Sequence, residues 1–278
     1  MKTLVKHLMW LLGFEIRRRS MGSHECTGPD RGSIEGSLRQ VCNQGFMPET
    51  VIDVGAALGT FSLSCHTVFP NAQYVLVEPL EEYIPSLRKV THAIARASYD
   101  IAVASTTGGT ASLNVHHDLV GSSLFQEMEE GTEVNGVQRE VPSVTLDHLV
   151  VEKKARPPYL LKIDVQGAEL DVLLGGKTTL KGTEYVVLEV SCFEFFQHGP
   201  QFGEVVAFME SNGFVPYDIF GLQYRPLDNA LSQVDVVFVK KTGRFRKYHY
   251  YATPAQRQEQ NHKFRSHLNK VLSRNQAA

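Results

Sequence analysis

Carboxylates closing short apolar runs are the first residues in this chain that could do chemistry. Asp53 lies in Val51-Ile52-Asp53-Val54 and is followed by Gly55 and Gly59, so the stretch reads Asp-x-Gly-x-x-x-Gly. Glu78 follows Gln73 to Val77, Asp164 follows Leu160 to Ile163 with Lys162 two positions earlier, and Glu189 follows Val187-Leu188. His198 stands in Phe-Phe-Gln-His-Gly, and Ser122-Ser123 come directly after Gly121. Carboxylate oxygens hold ammonium groups, accept from vicinal hydroxyls, and take a proton from a hydroxyl nucleophile. Histidine is the side chain whose ordinary titration suits the last task at neutral pH.

These residues need strand ends to position them. Val51 to Val54 reads as a buried strand, the two glycines bound a tight turn, and Thr60 to Val68 reads as a helix. Such a unit brings backbone N–H groups and a helix N-terminus to the carboxyl edge of a sheet, where open α/β sheets bind ligands. A dinucleotide fingerprint requires Gly-x-Gly-x-x-Gly, whereas Ala57 occupies the middle position here, which argues against NAD or FAD. An acid at the strand end suits the amino-acid portion of S-adenosylmethionine, with Asp53 on its ammonium and Gly55 and Gly59 allowing close approach. Glu78 lies 23 positions beyond Gly55, near the offset at which such folds place a carboxylate on ribose hydroxyls; the competing reading is a cap for a helix starting near Leu80.

Further along, Tyr99 to Ser105 and Thr110 to Val115 flank Gly108-Gly109 and predict a hairpin, and Glu127 to Gly136 reads as a polar surface loop. Ser123 is then either a loop residue or a contact to the adenine edge or the acceptor. Pro158 to Ile163 predicts another strand carrying Lys162 and Asp164 to its carboxyl end, with Gly167 turning the chain into a helix opened by Ala168-Glu169. Asp164 is the leading candidate for the group nearest the chemistry, Glu189 the second and His198 the third; the competing roles are a helix cap, a partner for Lys162 and a loop histidine. Asp164 and Glu189 supply the oxygen ligands Mg²⁺ takes, yet nothing in their spacing demands a metal. Gly213 to Tyr217 and Val234 to Val239 predict two closing strands after a helix over Glu204 to Asn212.

Composition bounds the rest. A chain of 278 residues with 21% charged and 42% hydrophobic residues buries a proper core, which excludes disordered and fibrous classes. The net charge of −2 is unevenly spread: residues 240 to 278 carry ten Lys or Arg against Glu259 alone, leaving −11 on the first 239 residues. Residues 1 to 20 carry a surplus of four positive charges, with Leu4, Leu8, Leu11 and Leu12 at helical spacing. Both basic ends read either as solvated helix faces or as docking faces for an anionic surface such as a membrane. The apolar run Leu8 to Phe14 is too short to span a bilayer and ends in Glu-Ile-Arg-Arg-Arg rather than at a small-residue cleavage site. Cys26, Cys42, Cys65 and Cys192 have no metal-ligand spacing and read as reduced thiols of a cytoplasmic protein. Basic residues gathered at the termini rather than across the cleft argue against a nucleic-acid partner.

In order along the chain, Val51-Ile52-Asp53-Val54-Gly55, Val77-Glu78-Pro79, Val144-Thr145-Leu146-Asp147, Leu161-Lys162-Ile163-Asp164-Val165-Gln166-Gly167-Ala168-Glu169 and Val187-Leu188-Glu189 resemble the FkbM family of S-adenosylmethionine-dependent methyltransferases. The resemblance covers roughly residues 48 to 240. It implies an α/β, Rossmann-like class I methyltransferase fold: a mostly parallel twisted sheet, helices on both faces, and an antiparallel strand near the C-terminal edge. It also implies S-adenosylmethionine as cofactor and a hydroxyl of a small molecule, such as a sugar or polyketide, as acceptor. The expected organisation is an N-terminal amphipathic helix and linker or lid over 1–45, a methyltransferase domain over 46–240, and a basic helical extension over 241–278. Two other readings remain open: N- or C-methylation, and a non-catalytic protein that binds the cofactor or a nucleotide.

Overall fold

The computed structural model describes residues 30–276. The amphipathic segment expected near the N-terminus, and the linker as far as residue 29, lie outside the described residues. Within the unit Arg31–Ala278, the chain first forms α1 (Ile34–Asn43), β1 (Thr50–Val54), α2 (Thr60–Val68), β2 (Gln73–Val77), α3 (Ile84–Ala93) and β3 (Ala97–Asp100). Next come β4 (Val103–Ala104), β5 (Gly109–Val115), the single turn α4 (Thr132–Asn135), β6 (Val137–Val144) and α5 (Leu146–Glu152). Then follow β7 (Tyr159–Ile163), α6 (Glu169–Leu174), α7 (Lys177–Gly182), β8 (Thr183–Ser191), α8 (Phe202–Ser211), β9 (Phe214–Tyr224), β10 (Leu231–Lys240) and α9 (Pro254–Gln276).

The central sheet has the order β3-β2-β1-β7-β8-β10-β9. All pairs from β3 to β8 are parallel, and β10 runs antiparallel between β8 and β9. Every residue of β1 and β7 is buried, as central parallel strands covered on both faces must be. Alternation along β1 sends Val51 into the layer formed with Leu38 and Val41 of α1 and Phe61 and Cys65 of α2. Ile52 and Val54 face the opposite layer, built with Leu149 of α5, Val172 of α6 and Met209 of α8. The chain leaves β1 toward β2 on one side and returns through β7 on the other, so the switch of direction lies between β1 and β7. That gap at the carboxyl edge is where a doubly wound sheet opens a crevice.

The two-glycine hairpin predicted before Thr110 does not form. β5 pairs antiparallel with β6 over Gly109↔Ser143 to Val115↔Val137, while β4 is only two residues long and pairs parallel with β6. The turn signal at Gly108-Gly109 marks the entry to β5 correctly, but the partner strand lies beyond a loop that local signals do not read across. Closing the main sheet, β9 and β10 are longer than predicted and carry register shifts near Gln223 and Gln233. Those irregularities sit where the hairpin passes the crevice, a usual place for bulges that re-aim a side chain.

Candidate active site

The turn after β1 is shaped by backbone conformation. Gly55, Ala57 and Gly59 all have positive φ, at 73°, 45° and 74°. A Cβ on Gly55 would overlap the carbonyl oxygen of Asp164, so the ends of β1 and β7 approach as closely as they do only because position 55 has no side chain. Four of the N–H groups in this turn are already used. Those of Gly55 and Ala56 donate to Val77 O, that of Gly59 donates to Ala56 O, and that of Ala57 donates to Glu78 Oε2 at 2.8 Å. The turn therefore contributes shape, and Ala57 N–H ties it to Glu78.

A cavity of about 250 Å³ opens at this edge of the sheet. Its β2 and β3 side is apolar, with Leu80, Tyr83, Ala102, Val103, Leu113 and Leu119 in the lining. Glu78 stands at the junction, almost wholly buried, with Oε1 accepting from Leu80 N–H at 3.0 Å. The acid fixes the start of the next helical segment, as the capping reading expects, and it also lines the cavity. Two backbone bonds leave lone pairs free for a diol. Burial raises its pKa despite those two bonds.

The β7 and β8 side is polar. Asp164, Gln166, Glu189, Gln223 and Gln233 line it. Lys162 Nζ donates to Asp164 Oδ2 at 3.0 Å, and Gln166 Nε2 bridges Asp164 Oδ1 at 3.1 Å and Glu189 Oε2 at 2.8 Å. Gln223 and Gln233 donate to the two oxygens of Glu189 at 2.9 and 3.0 Å. Burial pushes Asp164 upward, but the Lys162 ammonium and its hydrogen bonds outweigh that and hold it below the ordinary range. Glu189 forms no ion pair among the described residues, and burial together with the Asp164 charge pushes it up to about 8. Asp235, directly opposite Glu189 in the β8–β10 register, is pushed up to about 6 by burial and by Asp164. Within the pair bridged by Gln166, the negative charge is thus favoured on Asp164 and the proton on Glu189.

Several sequence-predicted residues fall elsewhere. Asp53 has no exposed surface and is not in the cavity lining, because alternation turns it into the layer beneath α2. There its Oδ2 accepts from Ser62 at 2.6 Å and its Oδ1 lies 4.0 Å from Lys162 Nζ. It therefore does not reach a ligand's ammonium directly. Gly59 is the left-handed residue before α2, likewise outside the lining. Ser123 is buried and donates to Gln166 O at 2.6 Å, so it braces the Gln166 turn while its neighbour Ser122 faces the cavity. His198, at φ 66°, borders a separate depression with Phe125, Leu170 and Glu204, because the segment after β8 folds back with Phe196 against Gly167. Asp164 and Glu189 are brought together with Gly55 and Glu78; His198 is not.

Sequence reasoning passed over three glutamines and assigned Glu169 only to the helix dipole. Glu169 is buried and its Oε1 accepts from Val165 and Gly167 N–H, both at 3.2 Å, fastening the turn that presents Gln166; burial pushes it up to about 7. Gln166 itself has φ 55°, a conformation costly for a residue with a side chain. Among the described residues, no group of three or more His, Cys, Asp or Glu side chains is arranged to hold a metal ion.

The residues fit the cofactor expected from the sequence. An apolar wall suits a purine, a buried carboxylate with free lone pairs suits ribose hydroxyls, and a cluster with more carboxylates than cations suits a sulfonium and an ammonium. A family model described as the Methyltransferase FkbM domain matches residues 53–216. No curated protein matches the chain. Among solved structures, the methyltransferase FkbM of Methylobacillus flagellatus KT is 15% identical with a TM-score of 0.44, over 68% of this chain and 43% of that one. The chain thus spans less than half the length of that protein. The precorrin-6y C5,15-methyltransferase of Geobacter metallireducens GS-15 is 11% identical with a TM-score of 0.42, over 79% and 93% of the two chains. The N-methyltransferase NodS of Bradyrhizobium japonicum WM9 is 9% identical with a TM-score of 0.41, over 74% and 93%.

Proposed function

The chain belongs to the FkbM methyltransferase family, and from that premise we propose that it transfers the methyl group of S-adenosylmethionine to a hydroxyl of a small molecule. The observation that carries this reading is the pair Asp164 and Glu189, bridged by Gln166 and closed by Gln223 and Gln233 at the polar end of the cavity. When bound, the cofactor supplies an electrophilic methyl on a positively charged sulfur. Everything else is the work of the chain's own residues. Leu80, Tyr83 and Val103 would receive the adenine, Glu78 would accept from the ribose hydroxyls, and the carboxylates of the opposite wall would hold the positive charge; all of these residues line the cavity.

A hydroxyl is a weak nucleophile until a base takes its proton. Asp164, held ionised by Lys162, serves as fixed negative charge and is a poor base. Glu189, at about 8, has the basicity that proton abstraction near neutrality requires once it is ionised. Gln223 and Gln233 fix its carboxyl group from the β9–β10 hairpin, and an acceptor oxygen seated against Glu189 would be held for in-line attack. The test is transfer of an isotopically labelled methyl group to panels of sugars, phenols and polyketide alcohols, with amines alongside, and the new bond located by mass spectrometry. An O-methyl product lost in Glu189→Gln is the expected result; methylation at nitrogen or carbon refutes the hydroxyl assignment, and full activity in Glu189→Gln refutes the base.

A further inference from the structure

α9 is a helix of 23 residues whose described side chains are all exposed from Pro254 onward. Its start is strongly specified. Thr253 Oγ1 accepts from Gln256 N–H at 3.3 Å, Gln256 Oε1 accepts from Thr253 N–H at 3.0 Å, and Pro254 occupies the first turn. The body of the helix is not built to stand alone in water. Phe264, Leu268 and Leu272 are 71%, 46% and 50% exposed, and their spacing of four places them along one face. The helix carries Arg257, Lys263, Arg265, Lys270 and Arg274 against Glu259, a surplus of four positive charges. Just before it, Tyr248, Tyr250 and Tyr251 are exposed beside Arg246 and Lys247. Helices in proteins owe most of their stability to the packing of an apolar face, and this face is bare.

We propose that α9 and the tyrosine segment before it form a docking surface for an anionic lipid bilayer. An amphipathic basic helix lies in the plane of the headgroups with its apolar side chains among the acyl chains. Tyrosine rings settle at the same depth, and each nearby Lys or Arg gains from the negative surface potential. Charge complementarity selects this occupant over a second copy of the chain, since pairing two such helices brings two positive surpluses together. The apolar stripe selects it over a nucleic acid, for which Phe264, Leu268 and Leu272 have no use. One such helix binds a membrane reversibly, and stable attachment takes a second signal. Residues 1 to 20 repeat the pattern in sequence, with Leu4, Leu8, Leu11 and Leu12 among Lys2, Lys6 and Arg17 to Arg19.

The experiment is co-sedimentation of the full chain with vesicles of phosphatidylcholine alone and of phosphatidylcholine with phosphatidylserine. The bound fraction should rise about tenfold or more with the anionic lipid and fall by a similar factor in high salt. Phe264→Glu with Leu268→Glu should abolish binding through the apolar face, and Lys263→Glu with Arg265→Glu through the charge. Both variants should leave S-adenosylhomocysteine binding unchanged, which shows that the fold is intact. Equal binding to neutral vesicles, or binding that survives both double variants, overturns the proposal. So does a dimer, or a salt-sensitive complex with DNA, that is lost in Phe264→Glu with Leu268→Glu while the wild-type chain ignores anionic vesicles.

Discussion

Raising the pH should tighten cofactor binding, and Glu189 should account for the slope. With this carboxyl pushed up to about 8, it carries its proton at pH 6 and loses it by pH 9. A unit positive charge within about 6 Å of it, at an effective dielectric near 20, gains about 3 kcal/mol when the carboxyl ionises, which is about two decades in affinity. If ligand binding requires the ionised form, affinity changes about tenfold per pH unit below 8, or about 90-fold between pH 6 and 9. Solvent in the open mouth of the cavity screens part of this, so about tenfold is the floor. Calorimetric titration of S-adenosylmethionine from pH 6 to 9, in buffers of different ionisation enthalpy, reads both the affinity and the proton released. S-adenosylhomocysteine lacks the sulfonium charge and should show the shallower slope. Glu189→Gln should flatten the profile, whereas Glu169, pushed up to about 7, is present in both proteins and cancels in the comparison. A flat wild-type profile, or an unchanged slope in Glu189→Gln, would show that the raised carboxyl does not face the bound cation.

Three further outcomes rest on the same geometry. Glu169 and Glu189 have folded-state values of about 7 and 8, above the ordinary 4.5, so their contribution to stability is complete below pH 4.5 and is lost as pH rises toward those values. For Glu169 alone this amounts to at most about 3 kcal/mol, and calorimetric Tm should fall less between pH 5 and 8 in Glu169→Gln than in the wild type; equal falls would contradict the assignment. Gln166→Leu removes the bridge between two carboxyls and should lower kcat about 100-fold through two hydrogen bonds to charged or polarised groups, with KM for the cofactor little changed; a loss confined to KM would reassign the residue to binding. Glu78→Gln should weaken S-adenosylhomocysteine binding by about tenfold or more while kcat at saturating cofactor is spared, and an unaltered Kd would remove Glu78 from the ribose site.

What the sequence made legible was whatever depends on strand ends. α2 lies at Thr60–Val68, as its turn and periodicity predict, and Asp164 and Glu189 meet in one cavity because parallel strands deliver their carboxyl ends to one edge. Side-chain direction was partly available too. Asp53 shares the parity of Val51, and Lys162 that of Leu160, so the parallel register that pairs Asp53 with Lys162 already places both on the layer beneath α2. Reading Asp53 as a ligand contact overlooked that alternation. The glutamines were not legible. Gln166 acts through a left-handed backbone that its residue type does not advertise, and Gln233 and Gln223 reach Glu189 across long-range strand pairs, from β10 beside β8 and from β9 beyond it, which no local signal reveals. β5 was assigned the wrong partner for a related reason: a local turn signal says where a strand begins, and nothing about a strand beyond an intervening loop.

The buried motif acid still bears on the cavity it does not touch. Lys162 is the cation placed among Asp53, Asp164 and Glu189, 3.0 Å from one and 4.0 Å from another. Its charge is divided: enough falls on Asp164 to hold that carboxyl ionised, while part is spent on Asp53, whose Oδ1 has no other partner among the described residues. A buried carboxylate thus withholds positive charge from the crevice. Were Lys162 to neutralise Asp164 completely, Glu189 would lose the Asp164 charge as a cause of its raised pKa, while burial, the larger cause, would remain. The Asp-x-Gly-x-x-x-Gly run therefore acts at two distances. Gly55 lets β1 close on β7, and Asp53 sets the electrical balance of the strand it closes on.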